Sequence, residues 1–159
     1  MHPLSKQILI TPRCDSCLRT GMRILIADDE KNFTELLSLM IRKAGHEVAH
    51  VVNSGGLATI RAYNECAPDV VLMDYMMPNY NGVTAARQII SKDPGARVVL
   101  MTGMRNTPEL QMAASNAGAM GVLHKPFSQS ELEGLLAVLP FASHHLRSSL
   151  PEAPIPCPP

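Results

Sequence analysis

The chain has 159 residues, enough to bury one ordinary core without disulfides or a structural metal. Its 14 Lys and Arg balance 14 Asp and Glu, which excludes a bulk positive field for nucleic acid and leaves any function to a local site. No apolar run approaches the roughly 20 residues of a membrane span, and residues 1–21 lack a signal core, so no membrane insertion and a cytoplasmic location are expected. Cys14, Cys17, Cys66 and Cys157 are scattered and read as reduced thiols; Cys14-x-x-Cys17 has no second ligand pair to make a zinc site.

Residues 1–21 carry two prolines and no sustained apolar period, and read as a disordered leader with Met22 as the expected true start. A first strand is predicted over Arg23–Ala27. It is followed by a helix over Asn32–Ala44 whose apolar face is Phe33, Leu36, Leu37, Met40 and Ile41, with Gly45 as terminator. A second strand over Glu47–Val52 has the weakest pattern of the five. A helix over Ser54–Cys66, a strand over Val70–Met73 and a helix over Gly82–Ser91, ending before Pro94, come next. Then follow a strand over Arg97–Met101, a helix from Pro108 to Ala117 stopped by Gly118, and a strand over Gly121–His124. The last helix begins at Ser128, where Ser128 and Glu131 have capping-box spacing, and buries Leu132, Leu135, Leu136 and Leu139. Residues 22–140 thus read as one unit, and residues 141–159 as a disordered Pro-rich tail, with five prolines between Pro151 and Pro159. Short apolar runs alternating with helical period imply an α/β fold with a parallel sheet covered on both faces.

Polar residues fall at the ends of these strands. The first ends in Asp28-Asp29, the third in Asp74, the fourth in Thr102 and the fifth in Lys125. In an open parallel sheet all C-terminal ends face one edge, where the reversal of strand order opens a ligand crevice, so these five side chains should converge. Carboxylates about 4 Å apart repel by about 4 kcal/mol per pair at an effective dielectric of 20, and a hard divalent cation relieves that. An incompletely ligated oxygen cluster suits Mg²⁺, which shares its coordination sphere with water and phosphate. A carboxylate beside it can act as a nucleophile toward a phosphoryl group, with Lys125 spreading the charge, Thr102 donating a hydroxyl, and Gly103 leaving room for the backbone to approach.

With Asp28-Asp29, Asp74 in Val-Leu-Met-Asp-Tyr-Met-Met-Pro, Gly82, Thr102 and Lys125-Pro126-Phe127 in this order, the sequence resembles the receiver domains of two-component signalling over residues 22–139. The resemblance implies a doubly wound, flavodoxin-like sheet of five parallel strands in the order 2-1-3-4-5. It implies that Asp74 is the phosphoacceptor, fed by a histidine kinase or phosphotransfer protein. Asp29, Asp74 and the carbonyl of Met76 would ligate Mg²⁺, with Asp28 acting through metal-bound water. Lys125 would pair with the phosphoryl group, Thr102 would move toward it, and the Lys125–Pro126 bond would be cis. The protein would then be a switch rather than an enzyme, catalysing only its own phosphoryl transfer and autodephosphorylation. With no DNA-binding module following Leu139 in the sequence, the expected output is a contact of the fourth-helix, fifth-strand, fifth-helix face with an effector protein or a second copy, not direct DNA binding.

Two departures from the pattern stand out. Val122 occupies the place, three residues before the lysine, where many receivers carry a Tyr or Phe that swings inward, and a β-branched side chain cannot signal that way. Met76 and Met104 put bulky apolar groups two residues beyond Asp74 and Thr102, where they would hinder water. Two rival readings are a dehalogenase-type hydrolase, which needs an Asp where Met76 stands, and a phosphate-independent adaptor.

Overall fold

The computed structural model describes residues 20–139. The expectations for residues 1–19 and 140–159, including those on Cys14, Cys17 and Cys157, lie outside them. The elements run β1 (Arg23–Ala27), α1 (Lys31–Lys43), β2 (Glu47–Val52), α2 (Gly56–Cys66), β3 (Val70–Asp74), α3 (Gly82–Lys92), β4 (Val98–Thr102), α4 (Pro108–Ala117), β5 (Gly121–His124) and α5 (Gln129–Val138). All strand pairs are parallel, and the sheet order is β2-β1-β3-β4-β5, as expected. No helix among the described residues is long and apolar enough to cross a membrane.

The three inner strands are buried on both faces, which explains their unbroken apolar runs. Strand alternation sorts them into two cores. Leu25, Ala27, Val71, Met73, Val98 and Leu100 pack against α2, α3 and α4, whereas Ile24, Ile26, Val70, Leu72, Val99 and Met101 pack against α1 and α5. β3 and β4 each extend one residue beyond the predicted end, so Asp74 and Thr102 are themselves strand residues, held in register by the sheet. β2 is an edge strand in which only Val52 is buried. Its pairing with β1 slips at Ala49, since Ile24 faces Val48 and Leu25 faces His50, a bulge that accounts for its blurred pattern.

Counting apolar residues alone misplaced one helix face. The buried stripe of α1 is Thr34, Leu37, Ser38 and Ile41, while Leu36 is 55% exposed and Phe33 and Met40 are only partly buried. The two hydroxyls enter the core because they are satisfied within the helix: Thr34 Oγ1 donates to the Lys31 carbonyl and Ser38 Oγ to that of Thr34. Gly45, at φ +83°, ends α1 as expected, with its own N–H donated to Arg42 and that of His46 to Ile41. α2 starts at Gly56 rather than Ser54, because Gly55 before it adopts φ +97°. The capping box of α5 forms as predicted, and Leu132, Leu136 and Leu139 are buried while Leu135 is only partly so.

The start of β1 rests on α1's exit. Gly21 lies so close to the Gly45 carbonyl that a Cβ would collide with it, and the buried Met22 donates its N–H to His46 Nδ1 at 3.2 Å. Only an imidazole with a bare Nδ1 accepts that bond, and burial holds the His46 pKa below its ordinary value of 6.5. A group depressed in the fold stabilises it above the unfolded-state pKa and loses that contribution as pH falls through the folded value. The denaturation midpoint is therefore expected to drop as pH falls from about 7 through the ordinary histidine range, and the drop to be shallower in His46→Leu. Urea titrations across that range check this; equal slopes in both proteins would assign the dependence to other groups.

Candidate functional site

The topological reversal between β2-β1 and β3-β4-β5 opens the crevice at the C-terminal ends of β1 and β3. Asp28, just past β1, is held there by its main chain: its N–H donates to the Val52 carbonyl at 3.0 Å and its carbonyl accepts Asn53 Nδ2 at 2.6 Å. Asn53 Nδ2 also reaches Thr34 Oγ1 at 3.2 Å, tying the end of β2 to both the acidic turn and the first turn of α1. Asp28 Oδ1 accepts the Glu30 N–H at 2.9 Å, so one carboxylate oxygen turns the chain into α1, whose N-cap Glu30 makes no side-chain cap of its own. Oδ2 is left facing the crevice.

Carboxylate oxygens of buried Asp28, exposed Asp29 and buried Asp74 lie within 4.8 Å of one another. Lys125 reaches in from the end of β5 and bridges two of them, donating to Asp28 Oδ2 and, at 2.8 Å, to Asp74 Oδ1. Its ammonium also lies 4.3 Å from the centre of the Phe33 ring, which meets Phe127 edge-on at 5.8 Å. The Lys125–Pro126 bond is cis, as expected, and the Lys125 N–H donates to the Thr102 carbonyl at 2.7 Å. Thr102 is buried, and its Oγ1 accepts the Met104 N–H at 3.0 Å, so the hydroxyl is engaged with its own loop.

Burial pushes the Asp74 carboxyl above its ordinary range against the pull of Lys125, and Asp28 and Asp29 add to the rise. Burial alone would lower the Lys125 ammonium, but its bonds to Asp28 and Asp74 outweigh that and raise it. Three carboxylates against one ammonium leave two formal negative charges when all are ionised, the complement of one divalent cation. The all-oxygen donor set fits a hard ion such as Mg²⁺.

The five predicted side chains thus gather at one edge, with Asp28, Asp74 and Lys125 in direct contact and Thr102 turned aside. Gly82 opens α3 against the Asp74 carbonyl, where any Cβ would collide. Gly103, by contrast, has nothing within 4 Å of a Cβ position, so no close backbone approach requires it in this structure. The Met76 and Met104 side chains are 62% and 49% exposed beside the site, and Val122 packs against the core on the α2, α3 and α4 side. Two contributors escaped the sequence reading. Asn53 obeys the same strand-end rule as the others, since it directly follows β2, while Phe33 looked like an ordinary member of an apolar stripe.

Comparison with known proteins agrees with this geometry. Residues 24–137 match the family model of the response regulator receiver domain. The chain is 37% identical over 112 residues to the chemotaxis protein CheY of Thermotoga maritima, covering 70% of this chain and 92% of that protein. It is 34% identical over 110 residues to the DNA-binding response regulator MtrA of Mycolicibacterium smegmatis, covering 69% of this chain but 46% of that one, about half its length. Among solved structures it superposes on the receiver domain of the Pseudomonas aeruginosa sensor histidine kinase PA1611, which has magnesium coordinated in its active-site cleft. The TM-score is 0.66 at 26% identity, covering 75% of this chain and 97% of that one. A LuxR-family response regulator from Aurantimonas gives a TM-score of 0.67 at 30% identity, covering 74% of this chain and 86% of that one. The chain belongs to the receiver-domain family of two-component response regulators, whose members are phosphorylation-controlled signalling switches.

Proposed function

We propose that Asp74 is the phosphoacceptor of this switch, taking its phosphoryl group from a histidine kinase or phosphotransfer protein, and that the folded unit carrying it spans residues 22–140. The observation that carries this reading is the Lys125 ammonium bridging Asp28 and Asp74 beside Asp29 at the sheet's C-terminal edge. An Asp74 carboxylate oxygen attacks the phosphorus of a phosphohistidine; the O–P bond forms as the P–N bond breaks, and the bonding pair leaves with the imidazole nitrogen, which takes up a proton. Asp29, Asp74 and the Met76 carbonyl would hold Mg²⁺, with Asp28 acting through water. When bound, the ion offsets the charge of the transferring oxygens. Lys125 would pair with the phosphoryl oxygens, and Thr102, whose Oγ1 accepts the Met104 N–H at rest, would turn its hydroxyl to donate to a phosphoryl oxygen.

Output is assigned to a protein contact in the cytoplasm, with an effector or a second copy, through α4, β5 and α5. Met112 on α4, Met120 before β5 and Val138 on α5 are 63%, 49% and 75% exposed, apolar surface suited to a partner. The balanced net charge gives no support to direct DNA binding. Shifting a two-state population from one to ninety-nine per cent takes about 5.5 kcal/mol, on the scale of new charge-assisted contacts at a phosphorylated site.

Intact mass after incubation with acetyl phosphate tests the site and its metal together. The expected result is a gain of one phosphoryl mass with Mg²⁺ that is lost with EDTA and in Asp74→Ala. No gain under any condition would favour the phosphate-independent adaptor that Val122 keeps in view. Replacing Asp74 by Asn removes one of the crowded carboxylates, so thermal unfolding in EDTA should shift upward relative to the parent. Mg²⁺ at about one hundred times its dissociation constant should stabilise the parent by about 2.7 kcal/mol and the variant by much less. The apolar flank formed by Met76 and Met104 predicts a slow loss of phosphate. Decay of the phosphorylated protein should quicken in the double variant Met76→Asn, Met104→Glu, and a faster decay in the parent would contradict a water-excluding role.

A further inference from the structure

We propose that His124 is a positioning residue that holds Thr102 in its resting orientation through Met104, so that this histidine sets how readily the site accepts a phosphoryl group. The inference rests on the phosphoacceptor reading of Asp74. Thr102 and His124 face each other across the β4–β5 pairing, as the last residues of their strands. His124 Nδ1 lies 3.2 Å from the Met104 carbonyl. A carbonyl only accepts, so Nδ1 carries the proton and donates; in the neutral ring that leaves Nε2 as the acceptor. That Nε2 is buried and has no hydrogen-bond partner among the described residues, so the ring's orientation is fixed by the bond to Met104.

Met104 is consequently held at both ends, its N–H by Thr102 Oγ1 and its carbonyl by the imidazole. Turning the Thr102 hydroxyl toward Asp74 abandons the first bond, and the second resists the loop movement that would follow. Val122, on the same face of β5 and one alternation back, packs into the core and has no polar group to share this work. Weakening the His124 contact should therefore enlarge the population in which Thr102 is free, and tighten the apparent binding of a phosphoryl mimic by the same factor.

The test uses the full chain with beryllofluoride and Mg²⁺, following binding through the Thr102 and Met104 amide resonances. His124→Leu, which cannot donate, is expected to bind about three- to tenfold more tightly than the parent. His124→Asn, whose side-chain amide occupies the Nδ1 position, should bind as the parent does. In a Thr102→Ala background the difference between His124 and Leu should vanish. Should His124→Leu fail to fold, His124→Gln, with its amide at the Nε2 position, takes its place with the same expectation. Equal or weaker binding in the Leu or Gln variant, an Asn variant that behaves like Leu, or an effect that survives Thr102→Ala would overturn the role of His124 alone. No binding by the parent would overturn the phosphoacceptor reading and this inference with it.

Discussion

Everything at the site follows from crowding carboxylates at the mouth of a buried sheet. Asp28 and Asp74 are almost wholly buried and lie within a few ångströms of Asp29, an arrangement whose repulsion a folded chain tolerates only with a cation nearby. In this structure the cation is Lys125, shared between Asp28 and Asp74 and backed by the face of Phe33. Because one ammonium leaves the cluster undercompensated, the same arrangement is a receptor for further positive charge.

The sheet makes that crowding possible. Parallel strands buried on both faces cannot place polar side chains along their length, so the polar residues accumulate where the strands stop, and the parallel direction puts all those stops on one edge. The backbone then holds each group firmly. Asp74 and Thr102 are residues of the ladder itself, and the Asp28 main chain is fixed through both its N–H and its carbonyl. Lys125 and Thr102 are linked through the backbone where β5 ends. The walls of the crevice thus surround an ammonium shared between two carboxylates and a hydroxyl held by its own loop.

Much of this could be read in the sequence because strand-end chemistry is a local signal. Runs such as Val70-Val71-Leu72-Met73 announce a buried strand, and the polar residue that stops each run announces the edge it faces. Gly45 and Gly118 punctuated their helices as expected, since left-handed backbone at a helix end has few alternatives. What escaped were features decided by tertiary context. Thr34 and Ser38 face the core because their hydroxyls bond back into α1, which no apolar count detects. The bulge at Ala49 disturbed the period of β2, and Phe33 became a partner of Lys125 only through a residue 92 positions away in the chain. His124 was read as the end of a strand, and its contact with Met104 depends on a loop whose path no spacing rule specifies.

The clasp between Asp28 and β2 has a further consequence. The most buried carboxylate of the cluster has its own amide hydrogen bonded to the carbonyl of Val52, the last residue of an edge strand that is otherwise only half covered. Edge strands open more readily than inner ones, and an amide exchanges with solvent when its acceptor lets go. The exchange clock of the Asp28 amide is thus set by the fraying of β2. A molecule that lay along this open edge and steadied it would slow that clock and stiffen the acidic turn from outside, without entering the crevice.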